Sequence, residues 1–181
     1  MVIDLPQYIH QCASHVAENT MMAIIKTESN GNPLAIGLNR GYKLLYQPRD
    51  YNQAREWVNY LEAHGYNFDI GIAQVNIKNI HKFGYKATDA LNPCINLRIG
   101  SDIIQKNYLN ALPSSKNQQE ALYKAISSYN TGNNQSGFYN GYVKKVVYNA
   151  NGRVPYIPPS KVIHHHFNKL KRPTIKAWGY Y

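Results

Sequence analysis

Apolar residues recur three and four positions apart along most of the first 150 residues, a spacing that predicts a mainly helical chain. In "LPQYIHQCASHV", Leu5, Ile9, Cys12 and Val16 fall on one face, and Pro6 suits a first turn. "ENTMMAIIKTES" predicts a second helix. Asp50 can cap "YNQAREWVNYLEAH", which Gly65 ends. Asn92 and Pro93 open "CINLRIGSDIIQKNYLNAL", and "NQQEALYKAISSYN" follows and stops near Gly132. "GYVKKVVYNA" predicts a short last helix. Between Leu34 and Tyr46, "AIGLN" and "KLLYQ" predict a small β-hairpin around "NRGY". After Val154 the periodicity fades into a stretch with four prolines and no acid, which reads as a flexible tail. The chain thus divides into a domain over 1–150 and a tail over 151–181, with no internal repeat.

One position breaks the pattern. Met21, Ile24 and Ile25 form the apolar face of the second helix, and Glu28 continues that face. A solvated glutamate belongs on the opposite side. The C-terminal end of the helix dipole disfavours a carboxylate there, and partial burial disfavours its charged form. Both push its pKa upward, as a general acid working near neutral pH requires. The ordinary reading is a glutamate that reaches past the core edge to water or to a cation, so other motifs must decide.

Composition narrows the class. A chain of 181 residues with 44% hydrophobic and 17% charged residues is long and apolar enough for one domain with a real core, which excludes a disordered protein. Its 16 tyrosines against 4 phenylalanines suit carbohydrate or wet interfaces as well as core filling. The net charge of +10 is unevenly spread: all ten acidic residues lie between Asp4 and Glu120, and the nine basic residues after them have no acidic counterpart. A cationic C-terminal third reads as a contact for nucleic acid, an anionic polymer or a membrane surface, or as a solvated arm. No apolar run reaches the roughly 18 residues of a membrane span. "MVIDLPQYIH" does not read as a secretory signal, which leaves a cytoplasmic chain, a removed leader or another export route. Cys12 and Cys94 allow two free thiols or one disulfide. There is no zinc-type Cys/His spacing. His164, His165 and His166 suit adventitious metal contact in a solvated tail rather than a closed site, so no metal site is expected.

Two more stretches carry chemistry. In "DIGIAQVN", the small residues Gly71 and Ala73 sit beside Gln74 and Asn76. Small residues let a backbone or flat ligand approach, and amides match the hydroxyl and acetamido groups of sugars. In "AISSYNTG", Tyr129 shares a stripe with Leu122 and Ile126, so its hydroxyl turns inward and needs a partner, for which a carboxyl is a candidate. Each motif alone is weak.

In their order, "ESNGNP", "GIAQVN" and "SYNTG" resemble the three signature motifs of the soluble lytic transglycosylase (SLT) domain, a goose-type-lysozyme-like fold that cleaves peptidoglycan. "NPLAIGLN", "NPCINLRIG" and "GYVKKVV" resemble the branch that accompanies type IV secretion and conjugation machines. The resemblance covers roughly residues 10 to 148. It implies a mainly α, α+β lysozyme-like fold: a helical bundle around a glycan groove with a small β-hairpin. It implies Glu28 as catalytic acid and base, with Tyr129 hydrogen-bonding and orienting it. Ser29 would lie beside it. Gln74 and Asn76 would line the groove, Gly71 would give the backbone room, Asn130 would hold the loop or a sugar, and Tyr142 would be a groove wall. Ala73 stands where the family has a bulky residue, and Thr131 where it has alanine; both bear on subsite shape. The resemblance also implies a Cys12–Cys94 disulfide, a periplasmic location, glycan strands and secretion-machine components as partners, and no cofactor.

With one acid, the implied reaction yields a 1,6-anhydro end. Asp69 is the main threat to that account: it reads as a turn residue beside Gly71, but if it activated water the enzyme would be a lysozyme-type hydrolase. A non-catalytic binder of wall glycan or machine components is a further alternative. A nucleic-acid-binding protein ranks below both, because the charge lies outside the domain and no helix-turn-helix or zinc signature supports it.

Overall fold

The computed structural model describes residues 4–150. The expected tail over 151–181, with its three histidines, lies outside them. Eight α-helices, two short 3-10 helices (Ala87–Leu91 and Leu112–Ser114) and three short strands make up the described part: α1 (Leu5–Cys12), α2 (Glu18–Glu28), β1 (Ile36–Leu38), α3 (Tyr51–Ala63), β2 (Phe68–Ile70), β3 (Val75–Asn76), α4 (Ile77–Lys82), α5 (Pro93–Ala111), α6 (Gln118–Thr131), α7 (Ser136–Tyr139) and α8 (Tyr142–Asn149).

The helix ends follow local chemistry. Asp50 caps α3 by accepting from the Gln53 amide at 2.9 Å, and Asn92 caps α5 by accepting from Cys94 and Ile95. Gly132, at φ +77°, closes α6 in the left-handed conformation that glycine adopts without penalty. The first helix is shorter than its spacing predicts. It ends at Cys12, and a tight turn (Val16 N–H to Ala13 O, 3.1 Å) carries Val16 into the core from outside the helix.

The core forms where α2 runs between α1 and α8, and where the long α5 packs on α6 and α1. Met21, Ala23, Ile24 and Ile25 of α2 are fully buried with Leu97, Ile99 and Ile104 of α5 and Leu122 and Ile126 of α6. Each large apolar side chain contributes about 1.5–3 kcal/mol on leaving water. Cys12 and Cys94 are joined, tying α1 to the start of α5 across a separation of 82 residues. Closing a loop of that length stabilises the fold by about 4 kcal/mol in the chain-entropy model.

The sheet corrects one expectation. β1 does not turn back on "KLLYQ". It pairs antiparallel with β2, which pairs antiparallel with β3, in the register Ile36↔Ile70, Gly37↔Asp69 and Asp69↔Asn76. On the other edge of β1, the Gln47 side-chain amide takes the place of a strand. It accepts from Ile36 N–H at 2.8 Å and donates to Ile36 O at 2.9 Å. Those two bonds are what a neighbouring strand would supply at that residue. Leu45, expected in a strand, is 97% exposed. Among the described residues no helix is long and apolar enough to cross a membrane.

Candidate active site

Glu28 is the last residue of α2, and the apolar face before it carries its carboxylate inward to a groove of about 1000 Å³. Asn39, Asp69, Gln74, Asn76, Tyr129 and Asn130 line the same groove. Burial pushes the Glu28 carboxyl up to about 7, and the nearby Asp69 charge adds to the rise. The Tyr142 hydroxyl and the Lys145 ammonium pull the other way. Near neutral pH both protonation states are therefore populated, which suits a group that must give and then take a proton.

The partner of Glu28 is Tyr142 rather than Tyr129. The Tyr142 hydroxyl, at the first turn of α8, donates to Glu28 Oε1. Its side chain is buried and does not line the groove, so the expected groove wall is instead the residue that holds the acid. Tyr129 points inward from α6, but its hydroxyl donates to Ala73 O at 2.7 Å. It reaches that carbonyl because α5 carries Gly100 at the crossing: a Cβ there would lie 3.0 Å from the Tyr129 hydroxyl and 3.1 Å from the Ala73 methyl. Burial, then the Glu28 and Asp69 charges, raise the Tyr129 phenol well above its ordinary range, so it stays a neutral donor.

Ser29 and Gly71, the two small residues expected at the site, sit behind it. Ser29 Oγ donates to Ile72 O at 2.6 Å and accepts from Gly31 N–H at 3.2 Å, binding the end of α2 to the β2–β3 loop. Gly71 has φ +81°, and a Cβ there would lie 2.7 Å from Ala90 O and collide with the Asn96 amide. The room it leaves is filled by protein rather than by a sugar. Neither residue lines the groove.

Asn96 was not among the residues expected at the site. Fully buried on α5, it donates to Ile70 O (2.8 Å) and Ala90 O (2.9 Å) and accepts from Ala73 N–H (2.9 Å). It thus fixes the loop that presents Gln74. The available signal was a polar residue on the apolar face of a helix, the same signal that marked Glu28.

Gln74 and Asn76 do line the groove. Gln74 has φ +47°, and both its amide hydrogens go to main-chain carbonyls, Ala35 O at 3.0 Å and Gly71 O at 2.8 Å. It therefore offers a ligand its carbonyl oxygen, a hydrogen-bond acceptor. Gly37 on β1 leaves space for that oxygen, which lies 2.7 Å from where a Cβ would stand. Asn76 caps α4 through Lys78 N–H (3.1 Å) and donates to Asp69 Oδ1 at 2.7 Å. Asn130 accepts from Asn140 at 3.0 Å, which ties the end of α6 to the turn before α8.

Asp69 is not a turn residue. It is the middle residue of β2, facing the groove, and it accepts from Asn39 Nδ2 at 3.1 Å as well as from Asn76. Burial raises its carboxyl, and the two amide donors oppose the rise. No group of three or more His, Cys, Asp or Glu suited to a metal occurs among the described residues. A second cavity of about 730 Å³, lined by Leu5, Met22, Ile25 and Asn149 among others, contains neither Glu28 nor Asp69.

Comparison with known proteins identifies the family. Residues 8–151 match the family described as Transglycosylase SLT domain. A type IV secretion system protein virB1 of Brucella abortus is 42% identical over 146 residues, covering 77% of this chain and 61% of the relative. A protein virB1 of Rhizobium radiobacter is 35% identical over 173 residues, covering 94% and 70%. Another, of Agrobacterium fabrum, is 33% identical over 148 residues, covering 82% and 60%. The chain thus spans about three-fifths of the length of the Brucella relatives it matches. No solved structure matches it significantly. With the family match running from α1 to the end of α8, the chain belongs to the transglycosylase SLT domain family.

Proposed function

We propose that the protein is a peptidoglycan lytic transglycosylase that opens the wall locally for a type IV secretion or conjugation machine. The observation that carries the reading is Glu28: a half-buried carboxyl near pKa 7, held by the Tyr142 hydroxyl, in a groove lined by amides and a tyrosine.

The reaction runs through one acid. Glu28 protonates the oxygen linking N-acetylmuramic acid to N-acetylglucosamine, and the C1–O bond breaks. The sugar becomes cation-like and is stabilised by its own 2-acetamido oxygen. Glu28, now ionised, takes the proton of the C6 hydroxyl of the same sugar as that oxygen bonds to C1. The product is a 1,6-anhydro end and no water is consumed. Burial favours the acid form before cleavage, and the Tyr142 hydrogen bond and Lys145 favour the carboxylate afterwards. The Gln74 carbonyl accepts a sugar hydroxyl or acetamido N–H, and Asn130 lines the same groove. The virB1 relatives support the secretion role and a location outside the cytoplasmic membrane, which we read as the periplasm.

Purified wall incubated with the protein and analysed by mass spectrometry tests the reading. We expect fragment ends lighter by one water than reducing ends. Full reducing ends would replace it with lysozyme-type hydrolysis. No fragments from folded protein would leave a wall- or machine-binding role.

A further inference from the structure

The groove holds cations that the cleavage reaction does not use. Lys78 and Lys82, one turn apart on α4, line it from one element, and Lys106 of α5 lines it from another. Lys78 and Lys82 are exposed. Neither belongs to an ion pair found among the described residues, although His81, between them in sequence, is paired with Glu62 at 2.9 Å. Neither serves the two acids of the groove. The cation that acts on Glu28 is Lys145 of α8, and Asp69 is held by the Asn39 and Asn76 amides. Among the described residues no acid besides Glu28 and Asp69 lines the groove. Exposed lysines on one short helix are commonly just a solvated face. These come from two helices onto one substrate space, with the amides of Asn79 and Asn107 and the half-buried ring of Phe83 beside them.

We propose that Lys78, Lys82 and Lys106 form an anion-binding stretch of the groove that takes the carboxylates of the stem peptide on N-acetylmuramic acid, so that the enzyme selects peptide-bearing strands over bare glycan. The proposal rests on the glycan-cleavage reading and adds a substrate class to it. A bare strand keeps one lactyl carboxylate per repeat, close to the ring. The stem peptide adds several carboxylates farther from it, together with amides and small apolar side chains. Ammonium groups, carboxamides and an aromatic ring match those three kinds of group. Lysine suits such a ligand, because its long stem lets a compact charge follow a chain that hangs from the strand. A nucleic acid fits the same groove poorly, since Glu28 and Asp69 would face a chain with a charge at every repeat. Each exposed ion pair contributes little, so the preference is modest, and salt screens it. The lysines do not touch the bond that breaks, so they act on binding and leave the product unchanged.

The test is steady-state cleavage of three substrates: peptide-bearing glycan strands, the same strands stripped by an N-acetylmuramyl-L-alanine amidase, and strands whose peptide carboxylates have been converted to amides. Wild type is compared with the double variant Lys78→Gln, Lys82→Gln, with thermal melting as a check on folding. For the wild type we expect KM about fivefold lower on peptide-bearing strands than on stripped or amidated ones, and a gap that closes as ionic strength rises. The double variant should raise KM on peptide-bearing strands about fivefold and so erase the preference, in KM and not in kcat. If the double variant melts early, the amidated strands still decide, because they need only the wild type. Equal KM for intact and amidated strands in the wild type, or an unchanged KM in the folded double variant, overturns the proposal and leaves the cleavage reading standing. Lysine-dependent retention of a DNA duplex, with no such dependence on wall peptides, assigns the stretch to nucleic acid and overturns the proposal too. A wild type that releases no fragments from any of the three substrates overturns the cleavage reading and this proposal with it.

Discussion

Glu28 and Asp69 share a groove but stand in opposite surroundings. Glu28 ends a helix whose buried face brings it inward, it has one side-chain hydroxyl as donor, and its carboxyl rises to about 7. Asp69 is fixed mid-strand, with two amide donors opposing the effect of burial. Burial acts on both in the same direction. What separates them is the number of N–H and O–H groups offered to the charged form. Burial raises both carboxyls, and at Asp69 two amide donors work against the rise where Glu28 has one side-chain hydroxyl.

Replacing Glu28 breaks this comparison most severely. Glu28→Gln keeps the shape and can still accept from Tyr142, but it has no proton to give. Wall cleavage should fall about 10³-fold, within the range general acid catalysis supplies. The same variant should be more stable at alkaline pH. A carboxyl at about 7 in the fold and 4.5 in the unfolded chain binds its proton more tightly when folded. Stability therefore falls as pH rises from 4.5 to about 7 and stays lower above that. Discounted for partial exposure, the charged form costs about 2 kcal/mol at pH 8. Glu28→Gln should remove that cost, so its melting temperature should exceed wild type at pH 8 and match it near pH 4.5. An equal melting temperature at both pH values would show that Glu28 is solvated and not poised.

Tyr142→Phe sharpens the comparison with a sign. It removes the donor that favours ionised Glu28, so the alkaline limb of activity, set by ionisation of Glu28, should move to higher pH. A hydrogen bond to a charged group contributes about 1.5–3 kcal/mol, so a loss of about tenfold in kcat is expected. Steady-state rates across pH 5–9 check both. A limb that moves downward, or does not move, would mean Tyr142 fills space and does not tune the acid.

The same residues show what the sequence can and cannot reveal. The helical spacing of Met21, Ile24, Ile25 and Glu28 is local, so the direction of Glu28 was readable before any fold was known. The inward turn of Tyr129 was readable for the same reason. Its partner was not, because whether the hydroxyl meets Glu28 or Ala73 O depends on Gly100, on a third element. Spacing puts Tyr142 on the buried face of a short helix but does not say that α8 packs on α2 and reaches its end. The strands were hardest. "AIGLN" and "KLLYQ" have strand-like composition, but pairing is long-range, and here β2 supplies one edge of β1 while the Gln47 side chain occupies the other. Asp69 was misjudged on the same account: a loop aspartate before a glycine becomes a groove carboxylate only once β1 and β3 bring Asn39 and Asn76 beside it.

The smallest effect belongs to Tyr129, which makes it a control on the whole comparison. Tyr129→Phe removes a neutral hydroxyl from Ala73 O and leaves a carbonyl short of one partner. About 1 kcal/mol of stability should be lost, lowering the melting temperature by about 3 °C. Tyr129 carries no charge across the working pH range, since burial and the two carboxylates raise its phenol well above the ordinary value. Its removal should therefore leave the alkaline limb of the pH profile where it is, even though it stands in the groove wall. Rate at saturating substrate should fall no more than about threefold, through slight displacement of the Gln74 loop that Ala73 adjoins. If Tyr129→Phe instead shifts the alkaline limb as far as Tyr142→Phe does, the two tyrosines share Glu28 in the working enzyme. The acid would then be set by a pair of hydroxyls, and the contrast with the doubly gripped Asp69 would disappear.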